Sequence, residues 1–177
     1  MEDLTGITGN SYVVVDLQKI KRNVEKIRAH IGENVKFLPV LKGATCGHGL
    51  EEIAEFLVSE CQFDMLCVGH TIEAERIRNF GVNCDILVLG GTPFNNIPYV
   101  VENKITTTLS NADYARALSA EAVKRGTTAK VHIKINSAIP CFASPTACQA
   151  LFDMFAPKPT TAQSSRTLLT EKQYLNL

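Results

Sequence analysis

Between Tyr12 and about Ile135 the chain repeats one plan, in which a short β-branched or apolar run is followed by a stretch with apolar residues every three or four positions. Strand signals alternating with helix signals restrict the fold to parallel pairing through crossover helices, which means a barrel or a doubly wound sheet. The runs predict strands over Tyr12–Asp16 (YVVVD), Lys36–Leu41 (KFLPVL), Met65–Val68, Ile86–Leu89, Ile105–Leu109 and Lys130–Ile135 (KVHIKI). Between them, Ile20, Val24, Ile27 and Ile31 form one helical stripe stopped by Gly32, and Leu50, Ile53, Ala54 and Leu57 form a second. Ile72–Phe80, closed by Gly81, and Ile97–Glu102 read as shorter helices. Ala112–Arg125 turns Ala115, Leu118 and Ala122 inward and stops at Gly126.

After Ile135 this periodicity is lost. Pro140, Pro145, Pro157 and Pro159, with a Thr- and Ser-rich stretch over 160–170, predict an irregular tail holding one short helix at most, over Ala147–Phe155. The expected organisation is an α/β portion over residues 1–136 and a divergent tail over 137–177. Eighteen basic residues balance eighteen acidic ones, so no long-range field gathers nucleic acid or an anionic membrane. Met1–Asn10 is polar, and no apolar run approaches the roughly 20 residues of a membrane span, which leads to the expectation of a cytoplasmic protein. The six cysteines, at 46, 61, 67, 84, 141 and 148, show no C-x-x-C pairing. They are expected to be reduced and mostly buried, with no zinc site and no other metal.

The segment that carries chemistry is Pro39–Gly49, PVLKGATCGHG. Lys42 stands at the end of an apolar strand, and in parallel α/β folds that end of the sheet faces the substrate. A lysine desolvated there would favour its neutral amine and attack an aldehyde. Gly43, Gly47 and Gly49 would let the backbone turn tightly and leave space for a planar ring. On position alone, the lysine could equally be a solvated loop residue and the glycines plain turn residues. His48, inside the glycine-rich turn, is expected to pack or bond to backbone, and His70 to be scaffold.

Lys42–Gly49, K-G-A-T-C-G-H-G, is similar to the lysine motif of the alanine racemase family, usually K-A-x-A-Y-G-H-G. Val13–Asp16 resembles that family's V-x-x-D opening, Ile86–Pro93 (ILVLGGTP) one of its strands, and Val131–Lys134 (VHIK) its V-H-x-K strand. The four segments keep the family order across residues 12–136. The resemblance implies the fold of the family's amino-terminal domain, a (β/α)8 TIM-type barrel, here only partly built. It also implies a PLP-dependent isomerase in which Lys42 is both the residue that holds pyridoxal 5'-phosphate as a Schiff base and an acid/base on one face of the substrate, interconverting L- and D-alanine. The second base in the family is a tyrosine of a separate carboxyl-terminal domain, normally from the partner subunit. The implied partners are therefore an amino-acid substrate and a second subunit, as a homodimer or a heterodimer with a full-length racemase.

This chain departs from the family pattern in two places. Cys46 replaces the motif tyrosine that contacts the cofactor phosphate, and Cys141 replaces an arginine that bonds the cofactor ring. Lys134 matches a lysine that is carbamylated in some members. Activity of the chain alone is therefore not expected, and two alternatives stand beside the racemase: a non-catalytic PLP-binding protein, and a degenerate partner module of a full-length racemase.

Overall fold

The computed structural model describes residues 13–134 and the backbone of Leu175–Asn176. Its framework is four parallel strands, β1 (Met65–Val68), β2 (Asp85–Val88), β3 (Thr106–Leu109) and β4 (Lys130–Ile133), paired in sequence order. Helix α4 (Thr71–Asn79) links β1 to β2, α5 (Ile97–Glu102) links β2 to β3, and α6 (Ala112–Lys124) links β3 to β4. Helices α1 (Leu17–Ile31) and α3 (Leu50–Ser59) precede the sheet, and the single turn α2 (Lys42–Gly47) stands between them. Among the described residues the sheet does not close, so the α/β architecture is a partial barrel. No helix among them is long and apolar enough to cross a membrane.

Strand alternation divides the packing into two layers. Leu66, Val68, Ile86, Val88, Leu109 and Val131 point toward the helices and join Leu50, Ile77, Leu118 and Ala122 in the main core. Met65, Cys67 and Leu87 turn the other way and meet Leu38 in a second, smaller cluster. That second face is the one a closed barrel would fill, and Val40 and Leu89, which follow the same alternation, remain 49% and 37% exposed.

Two expected strands are corrected. Val13–Asp16 forms no ladder; Val13 and Val14 are exposed, and Asp16 instead caps α1 by accepting from the Lys19 N–H at 2.9 Å. A β-branched run is a strand only where another strand lies beside it, and none among the described residues does here. Lys36–Leu41 does run along β1, but the contact is one isolated parallel bridge, Val40 to Cys67. Pro39 explains this: Cys67 donates to the Pro39 carbonyl at 2.9 Å and accepts from the Leu41 N–H at 2.8 Å, which makes up the one bridge at Val40, and proline has no N–H with which to extend the ladder toward the start of β1. The α1 stripe is also half used, since Val24 is buried and Ile27 is exposed.

One element was not expected at all. Leu175–Asn176 in the tail forms β5, antiparallel to β4 through Val131 and Lys130. The expected helix over Ala147–Phe155, and Cys141 and Cys148, lie outside the described residues.

Candidate functional site

Lys42 follows Leu41, the buried residue that ends the segment bridged to β1, so its side chain leaves the sheet at the carboxyl edge. Immediately after it the backbone reverses hand. Gly43, Ala44, Thr45 and Cys46 have φ of 63°, 50°, 55° and 56° with ψ between 35° and 42°, one turn of left-handed helix. Gly47 and Gly49 also hold positive φ. The glycines adopt this conformation readily, whereas Ala44, Thr45 and Cys46 each meet a clash between Cβ and carbonyl worth about 1–2 kcal/mol.

Side chains around the turn offset that cost. The Thr45 hydroxyl donates to the Gly49 carbonyl at 3.0 Å, which closes the loop onto the start of α3. His48 Nδ1 lies 2.6 Å from the Thr45 carbonyl. Because a carbonyl only accepts, Nδ1 carries the proton in that bond. His48 is thus a backbone brace, as expected of a histidine in a glycine-rich turn.

A further anchor is Glu73, in the first turn of α4 and only 8% exposed. Its Oε1 accepts from the Gly43 N–H at 2.6 Å, and its Oε2 from the Gly69 and His70 N–H groups at 2.8 and 3.0 Å. Burial by itself pushes the Glu73 carboxyl up, but the backbone N–H groups of His70, Gly43, Gly69 and Ala44 outweigh it and hold the group below the ordinary glutamate value. The sequence reading missed this residue. A helix-start box was present as His70-Thr71-Ile72-Glu73, yet histidine in place of Ser, Thr, Asp or Asn at the first position muted the signal.

The floor beside Lys42 is main chain. Gly69 follows β1, and a methyl group there would come within 3.2 Å of Lys42 Cβ and 3.3 Å of Glu73 Oε2. Gly90 follows β2, and its N–H donates to the Gly69 carbonyl at 3.1 Å. A methyl group at Gly90 would sit 2.4 Å from that same oxygen, so no side chain fits. Farther along, Thr108 donates to the Val88 carbonyl at 2.7 Å, and the Lys134 N–H donates to Leu109 O at 3.0 Å, which carries the β3–β4 pairing to the edge of the sheet. Lys134 therefore ends its strand at the same edge as Lys42.

One expectation about Lys42 is corrected: its side chain is exposed, so the described residues do not desolvate it. Cys46 is also exposed, while Cys61 and Cys67 are buried and Cys84 half-buried; burial pushes the thiols of these last three up. They act as small apolar residues, and Cys46 is the exception.

Residues 15–139 match the family model described as the alanine racemase, N-terminal domain. The chain belongs to that family. It is 37% identical over 127 residues to alanine racemase 1 of Caldanaerobacter subterraneus subsp. tengcongensis, covering 72% of this chain and 32% of that protein. It is 37% identical over 123 residues to the alanine racemase of Clostridium perfringens, covering 70% and 31%. Alanine racemase from Clostridium difficile 630 superposes with a TM-score of 0.68 at 29% identity, over 77% of this chain and 36% of that one. The Bacillus anthracis alanine racemase solved with bound L-Ala-P gives 0.69 at 26%, over 78% and 36%. The chain thus spans about a third of the length of the curated relatives it matches. The family is PLP-dependent, and the partial barrel described above is the family's amino-terminal fold.

Proposed function

We propose that Lys42 is the cofactor-holding lysine of a pyridoxal 5'-phosphate-dependent amino-acid racemase whose substrate is alanine. The observation that carries the reading is a primary amine at the carboxyl edge of a parallel sheet, rooted in a left-handed turn and bordered by main chain at Gly69 and Gly90. The residues fit such a group: an aldehyde needs a reachable amine, and a planar ring needs a wall without side chains, which two adjacent glycines supply.

When bound, the cofactor supplies an electron sink for the charge left on the substrate α-carbon. The chain's own contribution is at Lys42 Nζ. This amine would hold the aldehyde carbon of the cofactor and, when free, would take or return the α-proton on one face of the substrate. Racemisation needs a second acid/base on the opposite face. In the family pattern that group is a tyrosine outside the segment matched here, contributed by a partner subunit, so turnover requires a dimer that brings such a residue to this edge. Cys46 is shorter than the motif tyrosine and a weaker hydrogen-bond donor, which lowers the grip on the cofactor phosphate.

Cys46 and the exposure of Lys42 also favour a second reading, in which the chain attaches the cofactor without turning over, or serves as the partner module of a full-length racemase. Incubation with pyridoxal 5'-phosphate, borohydride reduction and peptide mass spectrometry separate these readings. An adduct at Lys42, absent from Lys42→Ala, together with D-alanine formation after mixing with a full-length racemase subunit disabled at its own lysine, supports the racemase. An adduct without D-alanine supports the second reading. No adduct at Lys42 sinks both cofactor readings.

A further inference from the structure

The geometry points to Glu73 as a positioning residue for Lys42: one carboxylate grips the N–H of the residue after the lysine with one oxygen and the end of β1 with the other, fixing where the lysine leaves the sheet. This inference rests on the role proposed for Lys42. Three distances carry it, from Gly43 N–H to Oε1 at 2.6 Å and from Gly69 and His70 N–H to Oε2 at 2.8 and 3.0 Å.

Helix capping alone does not account for this arrangement. A glutamate in the first turn that served only α4 would accept from His70, whereas here the second oxygen is spent on a turn 30 residues away in sequence. That turn is also the strained one, with Ala44, Thr45 and Cys46 in a left-handed conformation, so without an outside anchor it would relax. The space at this point is equally limited, since a methyl group at Gly69 would come within 3.2 Å of Lys42 Cβ and 3.3 Å of Glu73 Oε2. A carboxylate suits the place because both oxygens face donors. Glutamine would have to aim its NH2 group at either Gly43 or the Gly69–His70 pair.

The test uses the full chain and its Glu73→Gln and Glu73→Asp variants. Each is incubated with pyridoxal 5'-phosphate and reduced with borohydride at intervals, and the Lys42 adduct is measured against that at exposed Lys104 as an internal standard. Amide hydrogen exchange is followed separately, without the cofactor, over residues 42–49 and 71–79. Glu73→Gln is expected to lower the Lys42-to-Lys104 ratio about tenfold, the scale of one lost charge-assisted hydrogen bond, and to speed exchange over 42–49. Faster exchange confined to 71–79 with an unchanged ratio would mean that Glu73 merely caps α4, and overturns the inference. Should the glutamine variant fail to fold, Glu73→Asp decides. It keeps the charge at β1 but is about 1.5 Å too short to span to Gly43, so a reduced ratio supports the clamp and an unchanged one refutes it. If the wild-type chain itself shows no preference for Lys42, the cofactor role is lost, while exchange over 42–49 still reads the clamp on its own.

Discussion

The stretch Lys42–Gly49 and the β1–α4–β2 unit touch each other but are built on opposite terms. In the unit, Leu66, Val68, Ile77, Ile86 and Val88 are fully buried, the strands pair in register over four residues, and the backbone is relaxed. In the loop, none of residues 42–49 is fully buried, three non-glycine residues stand in a disfavoured conformation, and the bonds that hold it come largely from side chains. The difference teaches where stability resides and where strain is tolerated. Burial supplies the free energy, and the loop draws on it to keep an amine in a place that its own sequence would not choose.

Four substitutions or conditions break or sharpen this contrast. The largest effect is expected from Leu66→Ala, which leaves a cavity in the middle of the unit and costs about 2–5 kcal/mol in urea-induced unfolding. An equally strong loss from a loop substitution such as Thr45→Ala would remove the contrast. Next is Gly90→Ala, where the added methyl meets the Gly69 carbonyl at 2.4 Å. Separation of the β1 and β2 ends should lower stability by about 1–3 kcal/mol, read from the thermal midpoint. Third, Ala44→Gly is expected to stabilise by about 0.5–1 kcal/mol, because relief of the left-handed strain exceeds the entropy lost by glycine. A destabilised Ala44→Gly would show that the turn carries no strain.

The smallest effect is expected from acid. The Glu73 carboxyl is held below its ordinary value of 4.5 in the folded chain, so the stability it contributes is fully present above about pH 4.5 and is lost as pH falls through its lower folded value. Protonation keeps part of the bonding, since a neutral carboxyl still accepts, and only the charge-dependent share disappears. Urea midpoints of wild type and Glu73→Gln should therefore converge as pH falls below 4.5, and parallel curves would show that the charge is immaterial.

Much of the unit was legible in the sequence and little of the loop was. Met65–Val68 and Lys130–Ile133 show themselves as apolar or β-branched runs, and α6 by its Ala115, Leu118 and Ala122 stripe with Gly126 behind it, because burial on one face imposes a period. Lys36–Leu41 was over-read: Pro39 stood in the open, and a missing N–H is as informative as an apolar neighbour. Over Val13–Asp16 the expected strand fails for another reason, since strand propensity does not supply a partner strand. In the loop, the place of Lys42 at the end of an apolar segment was legible. The left-handed turn was not, because nothing about alanine, threonine or cysteine announces positive φ. Glu73 was hidden as well, since its second oxygen answers to a residue 30 positions earlier, a relation that no local pattern contains.

The exposed lysine on a fixed root has a mechanical consequence. With its Cβ held beside Gly69 while three further methylene groups run free, the amine behaves like a pen on a pivoted arm: its reach is set by the root, and its heading is left open. A ligand arriving at this edge has only to choose a heading, and the orientational freedom it removes is that of one side chain and not of the loop that bears it.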